Sequence, residues 1–354
     1  MDILVFGAGA VGGYLGGRLA HAGYDVTLVA RGQAAAAIQK HGLTVIEEQQ
    51  QYFSNPKVVT TFRQAMVDDA QYDLILVCMK SYDAEAALNE MVAFCPSPPP
   101  MITLQNGIGI EEMFIKEFGA EKVVAGSLTT PISHEAYRTV IVERADRGLA
   151  LAPTEVKQDV SRWVNLFTGA GIESVGLEDY RSMKWSKAML NMIGNATAAI
   201  LNRHPKVIYD YRPTFKIEKD MLKEVAAVMK AQKLKSIDLP GVPTGRLVFS
   251  VKWLPDAIVQ PTLSNIIATG RGNKIPSFHL DLVSGNSENE VIYHNGSVAR
   301  IGESLNIPTP VNRVLNDILM KLARKEVDYE LYDGQPNRLV AEVRKYQREA
   351  KQKE

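Results

Sequence analysis

Two cysteines in 354 residues, Cys78 in an apolar run and Cys95 just before Pro96, are too few for a disulfide framework and suit reduced thiols in a cytoplasmic protein. No excess of either charge is present. Forty Lys and Arg balance forty Asp and Glu, so the composition gives no footprint for nucleic acid or for an anionic membrane surface. No apolar run approaches the roughly 20 residues that cross a bilayer. The first strand-like run begins at Ile3, which leaves no room before it for a signal peptide. Internal repeats and low-complexity tracts are missing as well. With 46% hydrophobic and 23% charged residues, the chain can bury a large core and is long enough for about two domains.

What the chain does have starts at its third residue. Ile3-Leu4-Val5-Phe6 reads as a buried parallel strand that runs into Gly7-Ala8-Gly9-Ala10-Val11-Gly12-Gly13, and residues 11–20 then carry apolar positions at helical spacing. In that order, strand, glycine turn and helix make a cradle for a pyrophosphate. Gly7 forms the turn, Gly9 lets the phosphates approach the backbone, and Gly12 lets the helix pack closely on the strand. The helix N-terminus adds N–H groups and partial positive charge. Gly7, Ala8, Gly9, Ala10, Val11 and Gly12 are therefore candidate dinucleotide contacts, the alternative being a glycine-rich turn without a ligand. The next strand, 25–30, ends at Arg31-Gly32, where an NAD enzyme usually places an acidic residue on the ribose 2′-hydroxyl. A guanidinium there pairs instead with a 2′-phosphate. The expected cofactor is NADP(H), read by Arg31; the plainer alternative is a solvated loop arginine.

An α/β pattern continues: a helix at 33–41, short strands at 43–46 and 57–60, a buried strand at 72–78, a helix at 84–94 and a strand at 101–104. Lys80 and Asn106 stand just past two of these strands, at the edge where open sheets bind ligands. Each also has a plain reading, a solvated lysine and a turn former before glycine. Strands at 122–126, 139–142 and 148–151, a helix at 155–167 and a strand at 172–175 complete the alternation. From Asp179 the periodicity is helical, apart from loops rich in proline and glycine at 239–245 and 270–276, and a charged tail at 344–354.

The helical part opens with residues 180–197, in which Lys187, Asn191 and Asn195 recur every fourth position and so share one face of one helix among apolar neighbours. Lys184 falls in roughly the same sector one turn earlier. Such polar groups are costly to bury without partners, and a bound hydroxy or keto acid would provide them. An exposed lysine, with asparagines that cap or bridge packed helices, is the competing reading.

On these residues the chain resembles the ketopantoate reductase (2-dehydropantoate 2-reductase) family. Residues 7–13 match its amino-terminal loop, Arg31 its phosphate-reading arginine, Lys80 its post-strand lysine, and Gln105-Asn106-Gly107 its H-N-G motif. Trp185, Lys187, Asn191 and Asn195 match its W-x-K-x-x-x-N-x-x-x-N helix, and residues 277–281 with 289–296 resemble its S-M-L-Q-D and T-E-I-D-Y-x-N-G segments. The resemblance implies that Lys187 donates the proton, that Asn191, Asn195 and Ser277 hold the substrate, and that Glu290 lies between cofactor ribose and substrate. Three departures stand out: Ile292 replaces the usual Asp, one extra residue separates Ser277 from Glu290, and 205–276 is longer than the family core.

The expected fold class is α/β, with an N-terminal Rossmann-type dinucleotide-binding domain at 1–177 followed by an all-α C-terminal domain at 178–354. The expected activity is NADPH-dependent reduction of 2-dehydropantoate to pantoate, a step of pantothenate biosynthesis. Lys187 and Glu290 are the expected catalytic residues, and Gly7 to Gly12, Arg31, Lys80, Asn106 and Glu290 the expected cofactor contacts. Two alternatives remain, a reductase of another 2-keto acid and a non-catalytic NADP(H)-sensing module. A small-molecule 2-keto acid is the expected partner; neither nucleic acid, membrane nor metal is expected, and a homodimer is left open.

Overall fold

The computed structural model describes residues 1–67, 70–271 and 276–352, with the backbone alone at 252, 262 and 265–271. Residues 272–275 of the expected 270–276 loop and the last two residues of the expected tail lie outside the described part. The chain divides into two compact units, Met1–Lys184 with Asp238–Val242, and Trp185–Ile237 with Pro243–Glu354.

The first unit is Rossmann-type. Its strands are β1 (Asp2–Phe6), β2 (Asp25–Val29), β3 (Leu43–Glu47), β4 (Gln50–Ser54), β5 (Lys57–Val59), β6 (Leu74–Val77), β7 (Met101–Thr103), β8 (Val123–Leu128), β9 (Ile132–Glu135), β10 (Thr139–Val142), β11 (Leu149–Pro153) and β12 (Ser174–Gly176). Eight of them form one sheet in the order β5-β2-β1-β6-β7-β8-β11-β12, parallel from β5 to β8, with β11 antiparallel to β8. Val5 lies between Leu28 and Leu76, and all three are fully buried, as befits strands covered on both faces. The chain first builds outward through β2 and β5, then returns to β6 on the other side of β1. The β1/β6 junction is thus the switch point at which open α/β sheets form a ligand crevice.

A second sheet, β4-β3-β10-β9, was not legible as a sheet. β3 and β10 were expected as strands, but β4 and β9 were not. Gln50–Ser54 is polar and lies mostly toward solvent, and the β3–β4 turn uses Glu48 at φ 54° in place of the usual Asn-Gly or Asp-Gly. The first helix, Ala10–His21, packs between the sheets. A Cβ on Gly16 would come 2.8 Å from Leu28, and one on Gly17 would come 2.9 Å from Val45, so each side of the helix is bare where a sheet presses on it. Arg18 on this helix is buried. It donates to the carbonyls of Ala170 (3.2 Å) and Gly171 (2.9 Å), pairs with Glu47, and lies 3.7 Å over the Tyr52 ring. Burial pushes the neighbouring Tyr14 hydroxyl up to about 12, with Glu47 adding to the effect.

The helix expected at 155–167 forms only over Ser161–Gly169. Lys157 has φ 76°, the Asp159 carboxylate accepts from the Ser161 N–H at 2.8 Å, and Gln158 is spent on the carbonyls of Val123 and Ala120. Local side-chain bonds therefore compete with the first turns of the expected helix.

The second unit is all α. Its longest helix, Arg212–Ala231, buries Phe215, Ile217, Met221, Leu222, Val225 and Val228. No helix among the described residues is long and apolar enough to cross a membrane. Glu224 of the longest helix caps the helix Pro310–Ala323. Its carboxylate accepts from the Val311 and Asn312 N–H groups, both at 2.9 Å, and from Asn312 Nδ2 at 2.7 Å. Burial, helped by the charge of Asp220, raises this carboxyl from 4.5 to about 7 against the opposing pull of those hydrogen bonds. Unfolding between those pH values releases a proton, so this group makes stability fall as pH rises through the window. Glu224→Gln should flatten that part of the curve of unfolding free energy against pH, followed by urea melts at steps through the window. An unchanged slope would assign the dependence to another group.

Candidate functional site

At the β1/β6 switch point, Gly7 has φ 103°, and a Cβ there would stand 2.8 Å from the Met79 N–H nitrogen. A Cβ on Gly12 would come 2.0 Å from the Gly7 carbonyl oxygen, so only glycine lets the helix start this close to the strand. A Cβ on Gly9 would meet nothing within 4 Å. The first helix has neither a side-chain cap nor an acidic residue in its first turn. Its leading N–H groups and positive end thus face an open approach, which fits the phosphates of a dinucleotide.

Arg31 caps the helix Gly32–His41 with its side chain 73% exposed, and Glu90 lies 3.5 Å away. Lys80 is exposed at the start of the turn Ser81–Asp83. The two cations act on one group: burial raises the Asp83 carboxyl, while Arg31 and Lys80 hold it down. The structure thus brings Arg31 and Lys80 to one patch and adds Asp83 and Glu90, which sequence reasoning missed. Asn106 is half-buried, and its carbonyl accepts from the Ser81 hydroxyl at 2.5 Å.

In the second unit the expected single helix is interrupted. Lys187 and Asn191 lie one turn apart on the helix Tyr180–Met192 and are both half-buried, but Asn195 is outside it, at the cap of the next helix, Ala196–Leu201. The expectation that all three share one helix is corrected here. Gly194, at φ 56°, turns the chain out of the first helix. Asn195 still reaches its expected neighbours. Its Nδ2 donates to the Asn191 carbonyl (2.9 Å) and to Ser277 Oγ (3.1 Å), while its Oδ1 accepts from the Phe278 N–H (3.1 Å). Asn289 Nδ2 donates to the Phe278 carbonyl at 2.9 Å, and the next residue is the buried Glu290. His294 Nδ1 lies 2.9 Å from the Glu290 carbonyl, with its ring edge-on to Phe278. Hydrogen bonds therefore join the Asn195 side chain to the Asn191 backbone carbonyl, to Ser277 and to Phe278, and Asn289, bonded to Phe278, places Glu290 next along the chain.

The model described as "Ketopantoate reductase PanE/ApbA" matches residues 3–152, and "Ketopantoate reductase PanE/ApbA C terminal" matches residues 179–323. The chain belongs to the ketopantoate reductase family. Members of this family are dinucleotide-dependent oxidoreductases. The 2-dehydropantoate 2-reductase of Pyrococcus horikoshii is 34% identical over 227 residues, 63% of this chain and 72% of that one. Among solved structures, a PanE/ApbA family ketopantoate reductase from Ralstonia eutropha JMP134 matches with a TM-score of 0.77 at 25% identity, over 92% of this chain and 99% of that one. D-mandelate dehydrogenase, solved with NADH and anilino(oxo)acetate, matches with a TM-score of 0.76 over 93% of this chain and 100% of that one; at 19% identity the likeness is one of fold.

Within this family fold, the sequence concealed what holds the Asn106 turn. Lys184, expected beside Lys187 in one sector of the helix, is 4% exposed; its Nζ lies 2.9 Å from Glu111 Oε1 and donates to the Gln105 carbonyl at 2.6 Å. Thr103 donates a further bond to Glu111 at 3.1 Å. Gln105, standing where the family has His, donates through Nε2 to the Val77 carbonyl at 3.0 Å. No local pattern joins residues 111 and 184, and helical spacing alone grouped Lys184 with Lys187. Lys184→Met, which leaves the Glu111 carboxylate buried and unpaired, should cost about 3–5 kcal/mol of stability, and the double variant K184M/E111L should recover most of it in denaturant melts. Wild-type stability in Lys184→Met would show that the pair is not buried in solution.

Proposed function

We propose that this chain is an NADPH-dependent reductase of a 2-keto acid, with 2-dehydropantoate as its substrate and pantoate as its product. The observation that carries the reading is the hydrogen-bonded array of Asn191, Asn195 and Ser277, linked to Glu290, with Lys187 one turn before Asn191 on the same helix face. Family membership and the curated relatives' name support the substrate. A keto acid offers a carboxylate and a hydroxyl to amide and hydroxyl donors, and a ketone oxygen to an ammonium.

The glycine turn from Gly7 to Gly12, with Ala8, Ala10 and Val11, would hold the pyrophosphate; Arg31 would pair with the 2′-phosphate, and Lys80 and Asn106 would complete the cofactor contacts. Bound NADPH supplies the hydride. Lys187 Nζ would hold the keto oxygen, stabilise the charge that develops on it, and donate the proton. Asn191, Asn195 and Ser277 would orient the carboxylate and hydroxyl, and Glu290 would support both substrate and ribose. A second reading, reduction of another 2-keto acid, is favoured by Ile292, half-buried where the family has Asp.

NADPH oxidation against a panel of 2-keto acids tests the activity. Lys187→Ala should lower kcat/KM by about 10²- to 10⁴-fold while NADPH binding is retained. A near-normal rate would take the proton-donor role from Lys187, whereas no oxidation with any keto acid would favour a cofactor-sensing module. For the cofactor, an ionic hydrogen bond of about 1.5–3 kcal/mol translates into about 10- to 150-fold. Arg31→Ala should weaken NADPH by that factor and leave NADH nearly unchanged in fluorescence titrations, whereas equal losses would sink the assignment.

A further inference from the structure

Glu218, on the helix Arg212–Ala231, is fully buried. Its Oε2 accepts from the Gly194 N–H at 2.8 Å and from the Tyr209 hydroxyl at 2.7 Å, and its Oε1 accepts from the Thr197 hydroxyl. These donors come from the turn between two helices, from the first turn of the second, and from the helix Pro205–Asp210. In an unbroken helix the Gly194 N–H would bond to the carbonyl four residues back; here Gly194 has φ 56° and the carboxylate takes that role. The next residue is Asn195, whose amide holds Ser277 and Phe278.

We infer that Glu218 is a positioning residue for substrate. It fixes the Gly194 turn and so aims the Asn195 amide at Ser277, and without it both groups lose the placement that a keto acid carboxylate requires. Burying a carboxyl group is costly compared with a well-packed apolar side chain, so its presence at the helix break calls for a role that Leu could not fill. The inference rests on the proposal that Asn195 and Ser277 hold the acid. It goes beyond that proposal in assigning a residue that never touches the substrate.

The test compares variants by steady-state kinetics and NADPH titration. Glu218→Leu removes the acceptor of the Gly194 N–H and should raise KM for the keto acid at least tenfold, with NADPH affinity unchanged. Glu218→Gln should stay within about threefold of wild type, because the amide oxygen still faces Gly194 and Tyr209 while the Thr197 hydroxyl turns to accept from the new NH₂. Should Glu218→Leu not fold, Glu218→Asp keeps the charge, draws the carboxylate back by one methylene, and should raise KM severalfold. Wild-type KM in Glu218→Leu or Glu218→Asp, even with a lowered Tm, overturns the inference. Asn195→Ala separates the two levels. If it raises KM and the Glu218 variants do not, only the inference falls; if it leaves KM unchanged, the underlying assignment of Asn195 is wrong and the inference falls with it.

Discussion

Everything in the first unit depends on how closely its first helix approaches the sheet. The Gly12 position has no room for even a methyl group against the Gly7 carbonyl, and Gly16 and Gly17 let the same helix be gripped from two sides, by β1 and β2 of the main sheet and by β3 of the smaller one. Packing at backbone distance fixes the direction of the helix axis and therefore where its leading N–H groups point. Gly7 stands against Met79 at the exit of β6 for the same reason. The geometry proposed to accept phosphates is thus a by-product of tight packing, and it needs no polar side chain of its own.

Elsewhere, order is imposed by buried ionisable side chains. The ammonium of Lys184 and the carboxylates of Glu218 and Glu224 each sit where backbone groups have lost their regular partners: the carbonyl beyond β7, the N–H of a broken helix, and the start of the helix Pro310–Ala323. A charged group forms stronger hydrogen bonds than a neutral one and tolerates several at once, so one side chain can fix a whole turn. The cost is sensitivity, since removing one partner leaves a polar group stranded in the interior.

The sequence made legible what local chemistry decides. β1, β2, β6 and β7 announced themselves as apolar runs because both their faces are covered, and the glycine turn and Arg31 could be placed by their order along the chain. The smaller sheet was hidden because its β3–β10 pairing joins segments nearly a hundred residues apart and its flanking strands are polar. At the candidate site, four-residue spacing placed Lys187 and Asn191 on one helix, as found, but wrongly threaded that helix through Asn195. Gly194 was visible as a residue; its left-handed conformation and its hydrogen bond to Glu218, 24 residues further on, were not. Asn289, whose amide ties Glu290 to the array, carried no signal beyond its place next to that residue.

The guanidinium of Arg18 gives this architecture a direction in time. Its acceptors, the carbonyls of Ala170 and Gly171, lie more than 150 residues downstream. While the chain is being synthesised, the second element of the fold therefore carries a charge two of whose final acceptors do not yet exist. Glu47 and Tyr52 can meet the guanidinium early, but its bonds to the two distant carbonyls wait until the last strand of the sheet approaches. Loop closure over that length is slow, so final closure of this unit waits on its last segment. Truncations that stop short of residue 171 leave an arginine inside a core that cannot close around it.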